Sequence, residues 1–189
     1  MIDEETLEQV VRFHGHLCPG LAVGVRAAEV ALERVGPHAE DEEVVAIVET
    51  DMCGVDGIQF LTGCTFGKGN LVHRDYGKNA YTFLRRSDGR AVRISGRPGS
   101  FRRPPDGSDV AESREERSRR ILNAPIEELF DISDVDERLP PMARVFASVP
   151  CAGCHEPTME TRIRRLAGTD YCPPCFESVG RPVDRVGRR

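Results

Sequence analysis

Two Cys-x-x-Cys pairs, Cys151-Ala152-Gly153-Cys154 and Cys172-Pro173-Pro174-Cys175, stand near the C-terminal end with residues 155–171 between them. Each pair presents two thiolates from a tight turn, and two such pairs converge on a tetrahedral metal ion. The segment from residue 150 onward is too short to bury a core of its own, so the metal supplies its folding energy. With all four positions filled by sulfur, the pattern describes structural zinc. A redox dithiol pair and iron–sulfur ligation are the competing uses of the same residues. Gly168-Thr169 is a turn, so a β-hairpin is expected between the pairs, with a short helix near Cys175. His155 is a bystander to the four thiols. The chain therefore divides into a core, residues 1–149, and a four-cysteine finger with a basic tail, residues 150–189, with Pro150 marking the boundary.

The core must then carry any chemistry. The 189-residue chain has seven cysteines, and the three outside the finger are dispersed through the first 64 residues. That grouping suits metal binding and reactive thiols, not a disulfide framework. No apolar run approaches the roughly 20 residues that span a bilayer. The acidic start Met1-Ile2-Asp3-Glu4-Glu5 lacks the apolar segment of a secretion signal, so the cytoplasm is the expected compartment. A net charge of −5 disfavours non-specific nucleic-acid binding by the whole protein, and the finger holds only seven basic against five acidic residues.

Apolar periodicity places a short amphipathic helix over residues 4–13 and a longer one over 21–35 that is apolar nearly all round and hence buried. Val44-Val45-Ala46-Ile47-Val48 suits a strand covered on both faces. A helix over 55–61 follows. Strands are expected over 71–76, 79–85 and 90–95, with Asp88-Gly89 turning between the last two. Residues 96–108, rich in Gly, Pro and Arg, form a loop that is either a solvated connector or a basic flap over an anionic ligand. A charged helix over 110–122 carries Glu115–Arg119 and Glu116–Arg120 at i,i+4 spacing. A short helix over 125–130 and strands over 131–135 and 143–149 complete the sheet. The pattern is α+β, with helices on a largely antiparallel sheet.

Chemistry concentrates in Phe13-His14-Gly15-His16-Leu17-Cys18-Pro19-Gly20, where two imidazoles and a thiol precede a helix. A helix start leaves backbone N–H groups unpaired and favours an anion, and hence a thiolate. Alternation puts His14 and His16 on one side of an extended segment. Cys53 stands at a second helix start, after β-strand residues 44–48. His14, His16, Cys18, Asp51, Cys53, Asp56 and Cys64 are thus the candidate reactive groups. They suit either a mixed nitrogen–sulfur metal site, with His16, Cys18 and Cys53 as ligands, or a histidine-activated thiol. Cys64 is equally well read as a small buried residue. Gly67-Lys68-Gly69-Asn70 is a turn whose spacing does not match a phosphate-cradling P-loop.

Four ordered motifs within residues 10–95 carry a resemblance. Phe13 to Gly20, Glu49-Thr50-Asp51-Met52-Cys53-Gly54-Val55-Asp56, Thr62-Gly63-Cys64-Thr65-Phe66-Gly67-Lys68-Gly69-Asn70-Leu71 and Asp75-Tyr76-Gly77-Lys78 resemble the FmdE family, named for formylmethanofuran dehydrogenase. The tail resembles the DksA/TraR-type four-cysteine zinc finger. The resemblance implies an α+β core, often dimeric, with a metal or active site around the His/Cys motif. It also implies a link to the molybdenum or tungsten enzyme of methanogenesis that reduces carbon dioxide onto methanofuran. Carried onto this chain, it selects His16, Cys18 and Cys53 first, with His14, Asp56, Cys64, Lys68 and Lys78 behind them. Lys68 and Lys78 would hold an anionic part of a substrate or cofactor. The expected function is a metal- and thiol-dependent accessory protein or small oxidoreductase of one-carbon metabolism, partnered by itself as a homodimer or by components of a molybdenum/tungsten enzyme. The alternative is a zinc-finger module that contacts nucleic acid or a protein.

Overall fold

The computed structural model describes residues 2–102 and 112–180. The chain forms two compact units, residues Met1–Ala143 and Arg144–Arg189. In the first, α1 (Glu4–His14) is capped by Asp3, whose carboxylate accepts from the Thr6 amide. It ends where Gly15 takes φ +101°, a left-handed conformation that suits glycine. α2 (Pro19–Arg34) begins with proline in its first turn and buries residues on every side, as its apolar circumference requires.

β1 (Val44–Val48) is wholly buried. It lies between β2 (Leu71–His73), which is parallel to it, and β3 (Ala80–Arg85), which is antiparallel. β4 (Ala91–Gly96) and β5 (Phe130–Asp134) extend the sheet antiparallel, giving the order β2-β1-β3-β4-β5. α3 (Gly54–Thr62), α4 (Arg114–Asn123) and α5 (Ile126–Leu129) are the remaining helices of the described core. α2 packs against both α3 and α4, and the main core lies between these helices and the sheet face carrying Ala46, Val48, Tyr81, Phe83, Val92 and Ile94. The opposite face is covered more thinly, where Val45, Ile47, Leu84 and Ala91 meet Val72, Val135 and Leu139. The α+β, largely antiparallel architecture is the one expected.

Three local expectations differ. The segment 143–149 does not join the core sheet. Its strand is β6 (Ser148–Pro150), which pairs with β7 (Pro157–Met159) in the second unit, while Val145 is fully exposed. Glu116 does not pair with Arg120. It closes a capping box with Ser113 at the start of α4, and Arg120 instead donates to Glu112 at 2.7 Å. The extended run through His14 and His16 is absent because α1 continues to His14. Residues 103–108 of the basic loop and the Arg185–Arg189 tail lie outside the described residues.

The second unit adds β8 (Arg164–Leu166) and β9 (Thr169–Tyr171), the expected hairpin, then α6 (Pro173–Gly180), which carries Cys175. Among the described residues no helix is long and apolar enough to cross a membrane.

Candidate metal centres

The finger is built from its two turns. Cys151, Cys154, Cys172 and Cys175 bring their sulfurs within 4.8 Å of one another. Cys154 and Cys172 are 3.8 Å apart, which is the edge of a tetrahedron of about 3.8 Å that Zn–S bonds of about 2.3 Å would span. Backbone amides of Gly153 and Cys172 donate to Cys151 Sγ at 3.3 and 3.2 Å. Amide bonds of this kind, those of Cys154 and Cys172 foremost, draw the Cys151 thiol down to about 6. Its neighbours cannot all ionise beside it without a cation, and hydrogen bonding with Cys172 and Cys151 pushes Cys175 up to about 12. The donor set fits zinc.

In the core, the helix start of α2 is capped by a thiol. Cys18 is the N-cap residue, and the Leu21 amide donates to its Sγ at 3.3 Å. His14 at the end of α1 reaches back to it, with Nε2 at 3.8 Å from Cys18 Sγ. On the other side of the same ring, Nδ1 is 2.7 Å from Asp56 Oδ2 in the first turn of α3. A carboxylate there keeps the proton on Nδ1 and turns the Nε2 lone pair toward the thiol. The His16 ring is 4.9 Å from that of His14. One ligand atom each from His14, His16 and Cys18 lie within 4.8 Å of one another. A tetrahedral ion with Zn–N and Zn–S bonds of ordinary length needs an N···S edge of about 3.6 Å, close to the observed separation. Cys18 is buried and His16 exposed, so the set faces solvent on one side.

Cys53 is the N-cap residue of α3 and lies against Gly20 at the start of α2. Burial raises its thiol pKa, and hydrogen bonding and charge from Cys18 raise it further, so the two thiols are neighbours. Two helix starts meet here because the helices touch backbone to backbone. A Cβ added at Gly24 would come within 1.9 Å of the Gly54 carbonyl oxygen, so α2 and α3 approach this closely only with glycine at that position. These glycines were not among the expected site residues. The Gly20-x-x-x-Gly24 spacing was the available signal.

The other expected residues are elsewhere. Cys64 is fully buried and its thiol donates to the Val44 carbonyl at 3.4 Å. Burial pushes it up to about 11. Lys68 Nζ donates to the carbonyls of Ala39 and Glu40, tying the turn to the segment before β1. Lys78 lies over the Tyr76 ring, at a cavity lined by β3 and β4. Asp51 is exposed between β1 and α3.

An α+β core with a His/Cys cluster at paired helix starts, joined to a four-cysteine zinc finger, defines the class of protein. Residues 13–131 match the family model described as FmdE, molybdenum formylmethanofuran dehydrogenase operon, and residues 144–179 match the prokaryotic dksA/traR C4-type zinc finger. The chain belongs to the FmdE family. It is 33% identical, over 84% of its length, to a protein of Archaeoglobus fulgidus named a probable S-adenosyl-L-methionine-binding protein, and it spans about half (51%) of that relative. Its fold is similar to the crystal structure of a tungsten formylmethanofuran dehydrogenase FmdE-like protein from Syntrophus aciditrophicus. That likeness has a TM-score of 0.67 at 23% identity, covering 95% of this chain and 94% of the other.

Proposed function

We propose that this is a metal-dependent accessory protein of formylmethanofuran dehydrogenase-type molybdenum or tungsten enzymes, with its working metal held by His14, His16 and Cys18 and its finger held by a separate zinc. The observation that carries the reading is the Asp56–His14–Cys18 arrangement. His14 is oriented by a carboxylate through one ring nitrogen and directs the other into a set of converging ligand atoms. Three protein ligands with an exposed side are the donor set of a working site, not of a closed structural one. Bound there, the metal would supply Lewis acidity toward a ligand at its open position. The chain's own groups orient the imidazole through Asp56, hold Cys18 Sγ through the Leu21 amide, and keep Cys53 adjacent as a further sulfur donor or a redox thiol. Small-oxidoreductase chemistry would use Cys18 and Cys53. Self-association as a homodimer and docking on larger enzyme components are the partnerships this reading takes from the family.

Cobalt substitution tests the reading. The full chain loaded with Co(II) should show the finger's four-thiolate spectrum plus a second component of mixed nitrogen and sulfur ligation. The second component should vanish in Cys18→Ser. A spectrum unchanged by that substitution would refute a Cys18-ligated metal.

A second reading follows from the Archaeoglobus relative, whose name denotes S-adenosyl-L-methionine binding. The matched half of that protein would then contain its ligand site. Equilibrium dialysis of this chain against S-adenosylmethionine decides it, since saturable binding supports the reading and none removes it.

A further inference from the structure

A cavity of about 630 Å³ opens at the end of the core sheet where β3 begins and β4 finishes. Lys78, Arg93, Arg97 and Arg102 line it, together with Asn79, Ser95 and Phe101, and among the described residues no acidic side chain does. Two of the four cations are neutralised from behind. Arg93 donates to Glu49 at 2.9 Å and Arg97 to Asp131 at 2.9 Å. Neither Lys78 nor Arg102 has an acidic partner at ion-pair distance among the described residues. Among the described residues the cavity therefore carries about two uncompensated positive charges, beside the amide of Asn79 and the hydroxyl of Ser95.

The wall is fixed rather than trailing. The Arg97 amide donates to Leu129, Ser100 Oγ donates to Arg97 and Leu129, and the Arg102 amide donates to Gly99. Arg120 on α4 donates to the Arg102 carbonyl at 2.9 Å. The Phe101 ring packs on Phe130 and fills the space beside Gly96, where an added Cβ would meet it at 2.4 Å. The backbone that carries Arg97 and Arg102 is thus held before any ligand arrives, which lowers the cost of binding. The cavity also touches the helix-start site through one residue. The Tyr81 hydroxyl donates to Asn79 Oδ1 at 3.5 Å, and an added Cβ at Gly54, next to Cys53, would lie 3.0 Å from that hydroxyl.

We propose that this cavity binds the phosphate group of a phosphomonoester-bearing small molecule. A phosphomonoester carries about −1.5 to −2 charges near neutral pH and several acceptor oxygens, matching two free cations flanked by amide and hydroxyl groups. A P-loop is not involved, and the assignment does not rest on the metal reading.

The test titrates the isotopically labelled full chain with inorganic phosphate, phenyl phosphate and succinate, following backbone amide resonances. Phosphate should shift residues 78–80 and 95–102 saturably, and more weakly as salt is raised. Lys78→Ala and Arg102→Ala should each weaken binding about tenfold. Arg12→Ala, a cation outside the cavity, should change nothing. Phenyl phosphate should bind more tightly than inorganic phosphate through Phe101. Non-saturating shifts, or binding unaffected by both cavity substitutions, would overturn the site. Succinate binding as tightly as phosphate would overturn the phosphate assignment.

Discussion

His14 Nδ1 lies 2.7 Å from Asp56 Oδ2 while Nε2 of the same ring faces Cys18 Sγ at 3.8 Å. The contact joins the last residue of one helix to the first turns of two others. It sets the direction of the imidazole before a metal arrives, and removing it should show in affinity more than in folding. Asp56→Asn keeps the shape and removes the carboxylate. Metal affinity of the core site should fall by roughly 10- to 100-fold, measured by competition with a chromophoric chelator, with the melting curve nearly unchanged.

Gly24→Ala tests the approach of α2 to α3. Its Cβ would lie 1.9 Å from the Gly54 carbonyl oxygen, so the helices must separate. A loss of about 3 kcal/mol is expected from overpacking, read from the urea midpoint. Gly67→Ala, where an added Cβ meets nothing within 4 Å, should stay within about 0.5 kcal/mol of the parent.

Cys64 gives the core an alkaline limit. Its folded pKa is about 11, above the ordinary 9.0. Between those values the unfolded chain has lost this proton and the folded chain keeps it, so stability falls as pH rises through the window. A shift of about two units corresponds to roughly 2–3 kcal/mol by the top of the range. Buried Tyr81, also raised, acts in the same direction above its ordinary 10.0. Cys64→Ala should flatten the decline between about pH 9 and 11 in denaturant titrations relative to the parent. In the folded protein at neutral pH, iodoacetamide should leave Cys64 unmodified.

Chelation should unfold the finger alone, since the core keeps its own apolar cluster when its metal is removed. Without zinc, β6 to α6 lose the ligand set that holds them together. Trypsin should then cut after Arg162, Arg164 or Arg165 and leave the core resistant. Equal digestion with and without chelator would show that the finger folds without metal.

Much of the site was legible in the sequence, for local reasons. The helix start at Cys18 follows from Pro19 and the apolar run behind it, and that at Cys53 from a β-branched strand ending in polar residues and glycine. The α+β order and the finger's hairpin follow from periodicity and turn residues in the same way. What was not legible is tertiary. The bond from His14 to Asp56 spans 42 residues, and neither residue's neighbours announce it. His14 and His16 do converge, but through a helix end and the left-handed Gly15, not through strand alternation. Cys64 belongs by spacing to a motif beside the site, yet it lies buried in the core with its thiol on the Val44 carbonyl. Residues 143–149 read as a sheet strand because their apolar content does not reveal which sheet they join. Val145 is exposed and Ser148–Pro150 pairs within the finger unit.

The central claim is that the core holds a metal of its own, apart from the finger's. Elemental analysis of the purified full chain tests it most directly. Two metal equivalents per chain are predicted, falling to one in Cys18→Ser and to one in His16→Ala, with the finger's zinc retained in both. A single equivalent in the parent protein, unchanged by either substitution, would contradict it.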